Sequence, residues 1–403
     1  MLLSFFGRSN SVSDIMENKD PASPGEAPPR CSFLRAVGLI TGDMRLFGEW
    51  VKRQVLVVQL LDWVLRGVAQ VMLLNNPISG LLIVGGLFLQ DPWWAVNALI
   101  GTFISTVSAL LLGQNRGAVS AGLHGYSGTL VGMLMAVVSA KGSWYWWLLL
   151  PNVFMSMLCP VVSSALSSLL GKWDLPILTL PFNILLFVHM AATGGNHPYF
   201  PQVDFKPNDH LLALNESVQS LDVSQLFLSV PVGVSQVYGC SSPWTGGVFL
   251  LALLLCSPKS CFHAVCGSAA GMLSGLALAA PHQDIYSGLW GYNSVLSCIA
   301  IGGGVFYVLT WQTHLLAVLC AFVCAYMNAA VCNVLSVLAL PAASWAFSLS
   351  TLIFLLMSSE IRAICRVPPS AVSRPEEETR RRRKEKSERK NKTAVDLTPS
   401  VYV

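Results

Sequence analysis

The feature that most constrains this chain is an internal repeat, in which residues of the first half recur about 166 positions later. Both copies lie in strongly apolar sequence. The recurring residues of the first copy are Gln70, Val71, Pro77, Gly80, Pro92, Gly101, Leu123, Gly125, Tyr126 and Leu130, and those of the second are Gln236, Val237, Pro243, Gly246, Pro258, Gly267, Leu289, Gly291, Tyr292 and Leu296. A further set recurs with the offset shortened by one residue: Leu175, Pro176 and Phe182 return as Leu340, Pro341 and Phe347. A period of this length is too long for a solenoid unit and is typical of a duplicated half of a membrane transporter.

The composition supports a membrane location. With 53% hydrophobic and 11% charged residues and a mean hydropathy of +0.58, the chain has too little polar surface for a soluble domain of its length. The apolar run at the extreme N-terminus is too short for a signal-peptide core, so we expect the chain to enter the membrane through its own helices. Pro, Gly and single charged residues break several long apolar stretches into shorter pieces. These stretches cover residues 55–74, 81–113, 118–140, 144–170, 177–193, 246–280, 289–309, 313–340 and 345–357.

Two polar segments indicate the orientation of the chain. The connector between the copies holds a sequon at Asn215, whose glycosylation would place the connector outside. The tail carries a basic run from Arg380 to Lys384, which predicts a cytoplasmic tail and either only sets orientation or also binds anionic membrane lipid. An odd number of spans per half satisfies both signals and inverts the second half relative to the first, with both termini cytoplasmic. The predicted organisation is a cytoplasmic N-terminal segment 1–50, a first membrane repeat 51–193, an extracellular connector 194–235, a second membrane repeat 236–360 and a basic disordered cytoplasmic tail 361–403.

Charge is scarce inside the apolar stretches. Asp62 and Arg66 are one helical turn apart and are expected to pair with each other. The four histidines of these regions, each expected to be a hydrogen-bonded structural residue, are His124, His189, His263 and His314. The eleven cysteines lack a metal-ligand spacing and are interpreted as small hydrophobic residues, so the sequence predicts neither a metal nor a cofactor. Without the charges that ion-coupled transporters keep in the membrane, a neutral solute moving down its gradient is the simplest interpretation.

Two related segments carry the chemistry, and each has a proline near the start of an apolar stretch. They are Leu175-Pro176-Ile177-Leu178-Thr179-Leu180-Pro181-Phe182-Asn183 and Leu340-Pro341-Ala342-Ala343-Ser344-Trp345-Ala346-Phe347-Ser348. Such a proline favours the start of a short or re-entrant helix. In an inverted pair the two segments meet near the membrane midplane, which would bring the hydroxyls of Thr179 and Ser344 toward each other across a pore. Alternatively, each hydroxyl bonds only the backbone of its own helix.

The motif Leu-Pro-x-x-Thr-x-Pro-Phe-Asn at 175–183 resembles the signature of the urea transporter family. Further similar segments are Asn75 to Gly80, Asp91 to Trp94, Gly125-Tyr126, Lys172 to Asp174 and Trp311 to Leu316. The resemblance extends from about residue 40 to 360. It implies an all-α polytopic membrane protein of two inverted halves, each with five transmembrane helices and one re-entrant pore helix. It also implies a homotrimer in the plasma membrane, with a pore in each protomer that passes urea without ion coupling.

The same resemblance assigns candidate pore residues. It places Thr179 and Ser344 in the middle of a selectivity filter, aromatic residues at its two mouths, and apolar constriction residues one turn away. The predicted pore residues are Thr179, Ser344, Tyr126, Tyr292, Leu130, Leu296, Leu73, Gln70 and Gln236. The second copy departs from the signature, with Ala346 and Ser348 where the first has Pro181 and Asn183. The second wall of each aromatic slot falls on Leu73 and Gly239, neither of which is aromatic.

Urea itself makes these residue types reasonable, because it is flat and neutral and carries one hydrogen-bond acceptor and four N–H donors. Moving an amide-like group into hydrocarbon without partners costs roughly 2 to 7 kcal/mol, so a filter must replace the lost hydrogen bonds without holding the solute tightly. Freed backbone carbonyls and the hydroxyls of Thr179 and Ser344 can accept from urea, while Leu130 and Leu296 keep the passage thin. The alternative for Tyr126 and Tyr292 is helix packing alone.

The sequence leaves two other functions open. One is a pore for water, ammonia, formamide or another small neutral solute. The other is an intramembrane serine protease, because Gly125-Tyr126-Ser127-Gly128 resembles the Gly-x-Ser-Gly pattern of rhomboid enzymes. Such an enzyme needs a histidine, for instance His189 or His314, within reach of Ser127. The second copy has Asn293 in place of Ser127, which indicates that the serine is incidental and that the protein is not an enzyme. Nothing in the sequence indicates a nucleic-acid partner.

Overall fold

The computed structural model describes residues 40–139, 142–194, 221–338, 340–359, 361 and 364–367. Within these ranges the chain forms α-helices joined by turns and short 3₁₀ segments, with one antiparallel β-bridge between Tyr307 and Arg366. The helices of the first half are α1 Arg45–Val51, α2 Leu56–Gln70, α3 Pro77–Gln90, α4 Pro92–Leu111, α5 Arg116–Ser120, α6 Tyr126–Val137, α7 Leu149–Leu170 and α8 Leu180–Thr193. Those of the second half are α9 Val223–Ser235, α10 Pro243–Cys256, α11 Pro258–Ala277, α12 His282–Tyr286, α13 Tyr292–Gly302, α14 Trp311–Ser336 and α15 Trp345–Leu356.

The sequence repeat is also a repeat of helix boundaries. The helices α3 to α6 each have a counterpart, α10 to α13, that begins 166 residues later. Local chemistry explains the shared boundary between α3 and α4: Asp91 accepts hydrogen bonds from the backbone N–H groups of Trp93 and Trp94, at 2.7 and 3.3 Å, and Pro92 occupies the first turn. The equivalent Ser257 caps α11 ahead of its own proline. The long apolar stretches are therefore broken where proline and a capping side chain meet, as the sequence indicated.

Glycine permits the same tight turn in both halves. Gly122 and Gly288 both have a φ of 76°, a conformation that strains residues with a side chain. A Cβ at Gly122 would lie 2.5 Å from the backbone of Arg66, and one at Gly288 would lie 2.7 Å from the backbone of Gly233. Glycine therefore lets the turn after α5 approach α2 and lets the turn after α12 approach α9.

Helix length and composition agree with a multi-pass membrane protein. Four described segments are long and apolar enough to span a bilayer, and they form two equivalent pairs: Pro92–Leu111 with Pro258–Ala277, and Trp146–Trp173 with Trp311–Ser336. The segments Val223–Tyr238 and Pro243–Cys256 reach the same length only together and are bent by 75°. The remaining apolar helices have 10 to 17 residues, short of the roughly 20 needed for a full span, and are Pro77–Gln90, Tyr126–Val137, Leu180–Thr193, Tyr292–Gly302 and Trp345–Leu356.

One predicted boundary differs from the structure. The range 194–235, predicted as connector, contains the helix α9, Val223–Ser235. Asp222 caps this helix by accepting from the backbone N–H groups of Ser224 and Gln225 at 2.9 and 3.3 Å. The helix α9 therefore lies ahead of the repeated residues that set the predicted boundary at 236.

Short segments at both ends of the described region fasten the two halves together. Asn76 donates to the carbonyls of Ile40 and Gly42, while the N–H of Gly42 donates to Cys256 O at 3.0 Å. At the other end, residues 364–367 form a C-terminal strap. Val308 N donates to Cys365 O at 2.9 Å, and Val367 N donates to Phe306 O at 2.8 Å.

Arg366 extends the C-terminal strap to both halves. Its guanidinium donates to the carbonyl of Leu355, at the end of α15, and to that of Asp174, directly before the first signature segment. The strap therefore contacts the flanks of both segments that carry the predicted site.

Candidate functional site

The two signature segments meet through a cluster of four buried polar side chains, which we call the hydroxyl cluster: Thr179, Asn183, Ser344 and Ser348. Ser344 Oγ lies 2.6 Å from Thr179 Oγ1, and Thr179 Oγ1 lies 2.9 Å from Ser348 Oγ. Asn183 Oδ1 accepts from both the backbone N–H and the hydroxyl of Ser344, at 3.1 and 3.0 Å. These hydrogen bonds join the first half to the second. The alternative, in which each hydroxyl bonds only the backbone of its own helix, is therefore wrong.

The direct contact corrects one expectation about this site. A separation of 2.6 Å between Ser344 Oγ and Thr179 Oγ1 is that of a hydrogen bond, so no solute fits between the two hydroxyls. They therefore do not face each other across an open pore. If they line a passage, they lie side by side on one wall of it.

Left-handed backbone at two equivalent positions brings the segments together. Leu178 and Ala343, each directly before a cluster hydroxyl, have φ values of 47° and 43°. This conformation is costly for residues with a side chain and persists only where surrounding contacts hold it. Each carbonyl is held by a predicted slot tyrosine, because the Tyr126 hydroxyl donates to Leu178 O and the Tyr292 hydroxyl to Ala343 O, the latter at 2.7 Å. The tyrosine hydroxyls thus fix the backbone on which the cluster is built.

The predicted constriction residues are buried close to these tyrosines. Leu130 and Leu296 follow Tyr126 and Tyr292 by one turn on α6 and α13 and are 4% and 3% exposed. Leu73, the predicted slot wall of the first half, is half-buried with a φ of 60°.

The two predicted glutamines have equivalent partners. Gln70 Nε2 donates to Ala121 O at 3.0 Å, and Gln236 Nε2 donates to Ser287 O at 2.8 Å. The Gln70 amide therefore joins the end of α2 to the turn after α5, and the Gln236 amide joins the end of α9 to the turn after α12. Their contacts in this structure are with the backbone.

Sequence reasoning did not identify two members of the cluster. Asn183 and Ser348 entered only as signature positions at which the copies differ. Each lies four residues after Thr179 or Ser344 and bonds back to it through the backbone N–H, at 3.0 and 3.1 Å. The signal that could have found them is this spacing, since residues i and i+4 share one face of a helix.

In the second half, a second polar contact joins α13 to α14 and to the backbone before Ser344. Asn293 Nδ2 donates to Asn328 Oδ1 at 2.8 Å and to Ala343 O at 3.1 Å. The carbonyl before Ser344 therefore accepts from both Tyr292 and Asn293. Ser127, the equivalent of Asn293 in the first half, is buried and 1% exposed.

A family model described as the urea transporter matches residues 61–359, which include both signature segments. The chain belongs to the urea transporter family. Urea transporter 1 of Mus musculus is 52% identical over 348 residues, which are 86% of this chain and 90% of that protein. Urea transporter 1 of Rattus norvegicus gives the same figures, and that of Capra hircus is 52% identical over 360 residues, 89% of this chain and 92% of that protein.

Membership of the urea transporter family confirms the family resemblance and the interpretation that the chain is not an enzyme. Within the described residues, Ser127 Oγ has no histidine as a hydrogen-bond partner. His314, one of the two histidines named as examples for the protease hypothesis, has its Nδ1 2.9 Å from His263 Nε2. In the described ranges no three His, Cys, Asp or Glu side chains are grouped so as to hold a metal ion. Asn215, the predicted glycosylation site, lies outside the described residues.

Proposed function

We propose that this protein conducts urea passively down its gradient through a narrow passage beside the hydroxyl cluster. The observation that carries the proposal is the meeting of the two signature segments in one buried polar cluster, in a chain that belongs to the urea transporter family. Thr179, Asn183, Ser344 and Ser348 have neutral side chains. The cluster can therefore exchange hydrogen bonds with a neutral solute, and it offers no ionised group to a cation.

The cluster suits a solute that both donates and accepts hydrogen bonds. Each hydroxyl can rotate to donate or to accept, so it can release a neighbour and bond a passing N–H without leaving a buried polar group unpaired. The hydroxyls of Thr179 and Ser344 accept from urea along one wall of the passage. Leu130 and Leu296 supply the opposing apolar surface, which excludes a second layer of water. Binding stays weak, because each new bond replaces one that the cluster already makes.

The detailed architecture is part of the same proposal. We propose two inverted halves, each with five spanning helices and one re-entrant pore helix, and the equivalent helix boundaries of α3 to α6 and α10 to α13 support this. A homotrimer with one passage per protomer, a plasma-membrane location with both termini cytoplasmic, and lipid around the apolar exterior complete it. The sequon at Asn215 supports an extracellular glycosylated connector, and the basic run after Arg380 supports a cytoplasmic tail.

Stopped-flow urea efflux from proteoliposomes without an ion gradient tests the function. The decisive comparison is wild type against Thr179→Val, which keeps the shape of the side chain and removes its hydroxyl. The matched control is Thr193→Val on the same helix, because the Thr193 hydroxyl bonds only the backbone of its own helix, at His189 O and Met190 O. We expect fast efflux in wild type and in the control and a loss of about 5- to 150-fold in Thr179→Val, the scale of one or two buried hydrogen bonds left unmade, about 1 to 3 kcal/mol.

Each other outcome points elsewhere. Efflux that survives in Thr179→Val places the filter away from the hydroxyl cluster. A correctly inserted wild type without urea efflux contradicts the function, and the same vesicles would then be assayed with water, ammonia and formamide.

A further inference from the structure

The side-chain NH₂ group of Asn183 is not used by the rest of the site. Asn183 is fully buried, at 0% exposure, and its Oδ1 accepts both bonds from Ser344. Its Nδ2 is buried and lacks a hydrogen-bond partner within the described residues. The orientation of the amide is determined by chemistry: the backbone N–H of Ser344 can only donate, so the atom facing it must be the oxygen, and Nδ2 must face away from Ser344.

A buried N–H without a partner is unfavourable and rare in folded proteins. The cluster is otherwise rich in groups that accept: two serine hydroxyls, a threonine hydroxyl and the carbonyls of Leu178 and Ala343, both of which already accept from tyrosine. Urea brings four donors and one carbonyl acceptor. The acceptors of the cluster can satisfy its N–H groups, while its carbonyl needs a donor.

We propose that Asn183 Nδ2 is the donor for the carbonyl oxygen of the solute, which makes Asn183 a specificity-determining residue for planar carbonyl diamides. This rests on the proposed function. A solute at the cluster then makes complementary bonds, with its carbonyl on Asn183 Nδ2 and its N–H groups on the neighbouring hydroxyls. A solute whose acceptor is weak loses the first of these bonds and is disfavoured even when its N–H groups are unchanged.

The second half does not repeat this donor. The residue equivalent to Asn183 is Ser348, whose hydroxyl lies 2.9 Å from Thr179 Oγ1 and is engaged within the cluster. Among the four residues of the hydroxyl cluster, only Asn183 carries an amide donor, and it lies on the side of α8. A solute carbonyl is drawn to that side only, so the cluster orients its solute although the two halves are related by a repeat.

The experiment compares urea with thiourea, whose sulfur is a much weaker hydrogen-bond acceptor and whose four N–H groups are retained. Permeability of both solutes is measured in proteoliposomes of wild type and of Asn183→Leu, which keeps a similar volume and removes the amide. The urea-to-thiourea ratio is the readout, because it does not depend on how much protein is inserted. We expect the ratio to fall about tenfold in Asn183→Leu, the factor that corresponds to one hydrogen bond to a buried partner.

The matched control is Asn152→Leu. Asn152 is also fully buried in the first half, but its Nδ2 already donates to the backbone and side-chain oxygens of Asn97, both at 3.1 Å. Its substitution can lower the amount of folded protein and should leave the ratio unchanged. If Asn183→Leu does not fold, Asn183→Ser, which installs the residue of the second half, removes the amide in a smaller step.

The outcomes separate this proposal from the function on which it rests. Wild type that passes urea, together with an Asn183 variant whose ratio equals that of wild type, overturns the role of Asn183 and leaves the urea passage intact. Wild type without urea permeability overturns the function instead. A ratio that falls equally in Asn152→Leu would show a general loosening of the site and would also reject the specific role of Asn183.

Discussion

The turn that follows α2 in the first half is held by a charged side chain. The equivalent turn, which follows α9 in the second half, is held by a serine. In the first half, Arg66 is almost fully buried and donates to Asp62 Oδ2 at 2.9 Å. Its Nη1 also donates to the carbonyls of Asp43 and Asn75, at 3.0 and 2.8 Å, and to Asn75 Oδ1. One guanidinium therefore fastens the turn and the segment that precedes α1.

In the second half, the equivalent turn is held without a charged pair. Leu228 and Val232 stand where the first half has Asp62 and Arg66. The hydroxyl of Ser235, at the position of Ala69, bonds Val232 O at 2.9 Å and Cys240 O at 2.7 Å. In α9, Val232 is buried and Leu228 is exposed, so the Ser235 hydroxyl holds the turn that a buried ion pair holds in the first half.

The difference shows that the ion pair is not required by the turn. What the first half has in addition is an N-terminal segment to fasten, and Arg66 reaches it through Asp43. Burying two charges costs several kcal/mol per ion before their attraction offsets it, and removing one partner leaves the other charge buried and uncompensated. The first half should therefore be the more sensitive to loss of one partner.

The largest effect is expected for Arg66→Ala. It leaves Asp62 buried without its partner, which should lower the free energy of unfolding by about 3 to 5 kcal/mol. Thermal unfolding in detergent, followed by size-exclusion chromatography, measures the change. Arg53→Ala, at an exposed arginine, is the control and should change stability little. Equal stability of the two variants would remove the argument that the first half depends on its charge pair.

A smaller loss is expected for Ser235→Ala in the second half. It removes the hydroxyl that donates to Cys240 O, whereas Val232 O still accepts from the backbone N–H of Gln236. This loss should cost about 1 to 3 kcal/mol. The control is Ser229→Ala, because the Ser229 hydroxyl bonds only Leu226 O within its own helix. The same unfolding assay applies. A loss as large as that of Arg66→Ala would mean that the two turns are equally demanding, contrary to the comparison.

The sharpest test transfers the second-half arrangement into the first. The triple variant Asp62→Leu, Arg66→Val, Ala69→Ser replaces a charge pair by the apolar residues and the hydroxyl that serve the equivalent turn. Replacing a buried ion pair by apolar residues is often neutral, so we expect stability within about 1 kcal/mol of wild type and retained urea efflux. A variant that is as unstable as Arg66→Ala would show that the N-terminal segment, rather than the turn, needs the guanidinium.

The smallest effect is expected where both halves use a polar pair in a similar place. Asn152 donates to Asn97 between α7 and α4, and His314 bonds His263 between α14 and α11. Because His263 Nδ1 also faces Lys259 O, which can only accept, the neutral pair has its proton on His263 Nδ1 and on His314 Nδ1. The double variant His263→Asn, His314→Asn should therefore shift unfolding by about 1 kcal/mol or less and keep urea efflux. A large loss of efflux with normal stability would instead assign the histidines a part in transport.

The parts of the fold that were predictable depend on local signals. The offset of the repeat follows from matching residues in the two copies, and the pairing of Asp62 with Arg66 follows from their separation of one helical turn. The structure confirms both. Asp222 was an equally local capping signal for α9. The boundary predicted at 236 rests on the repeated residues alone and does not use this signal.

The parts that were not predictable depend on contacts between distant residues. The direct bond between Ser344 and Thr179 requires Leu178 and Ala343 to adopt positive φ, and neither is a residue type that signals this conformation. The hydroxyls of Tyr126 and Tyr292 hold those two carbonyls, which no periodicity reveals. The sequence pattern therefore locates the site and does not supply its hydrogen bonds.

The hydroxyl cluster also has a consequence for the order in which the chain is made. Asn183 Oδ1 and the backbone N–H of Ser344 are separated by 161 residues, so a ribosome has to complete nearly the whole second half before they can meet. Until then, Thr179 and Asn183 sit in the bilayer without the donors that later satisfy them. Nascent chains stalled before residue 344 should therefore be recognised as incomplete by membrane quality control, and chains arrested after α15 should not.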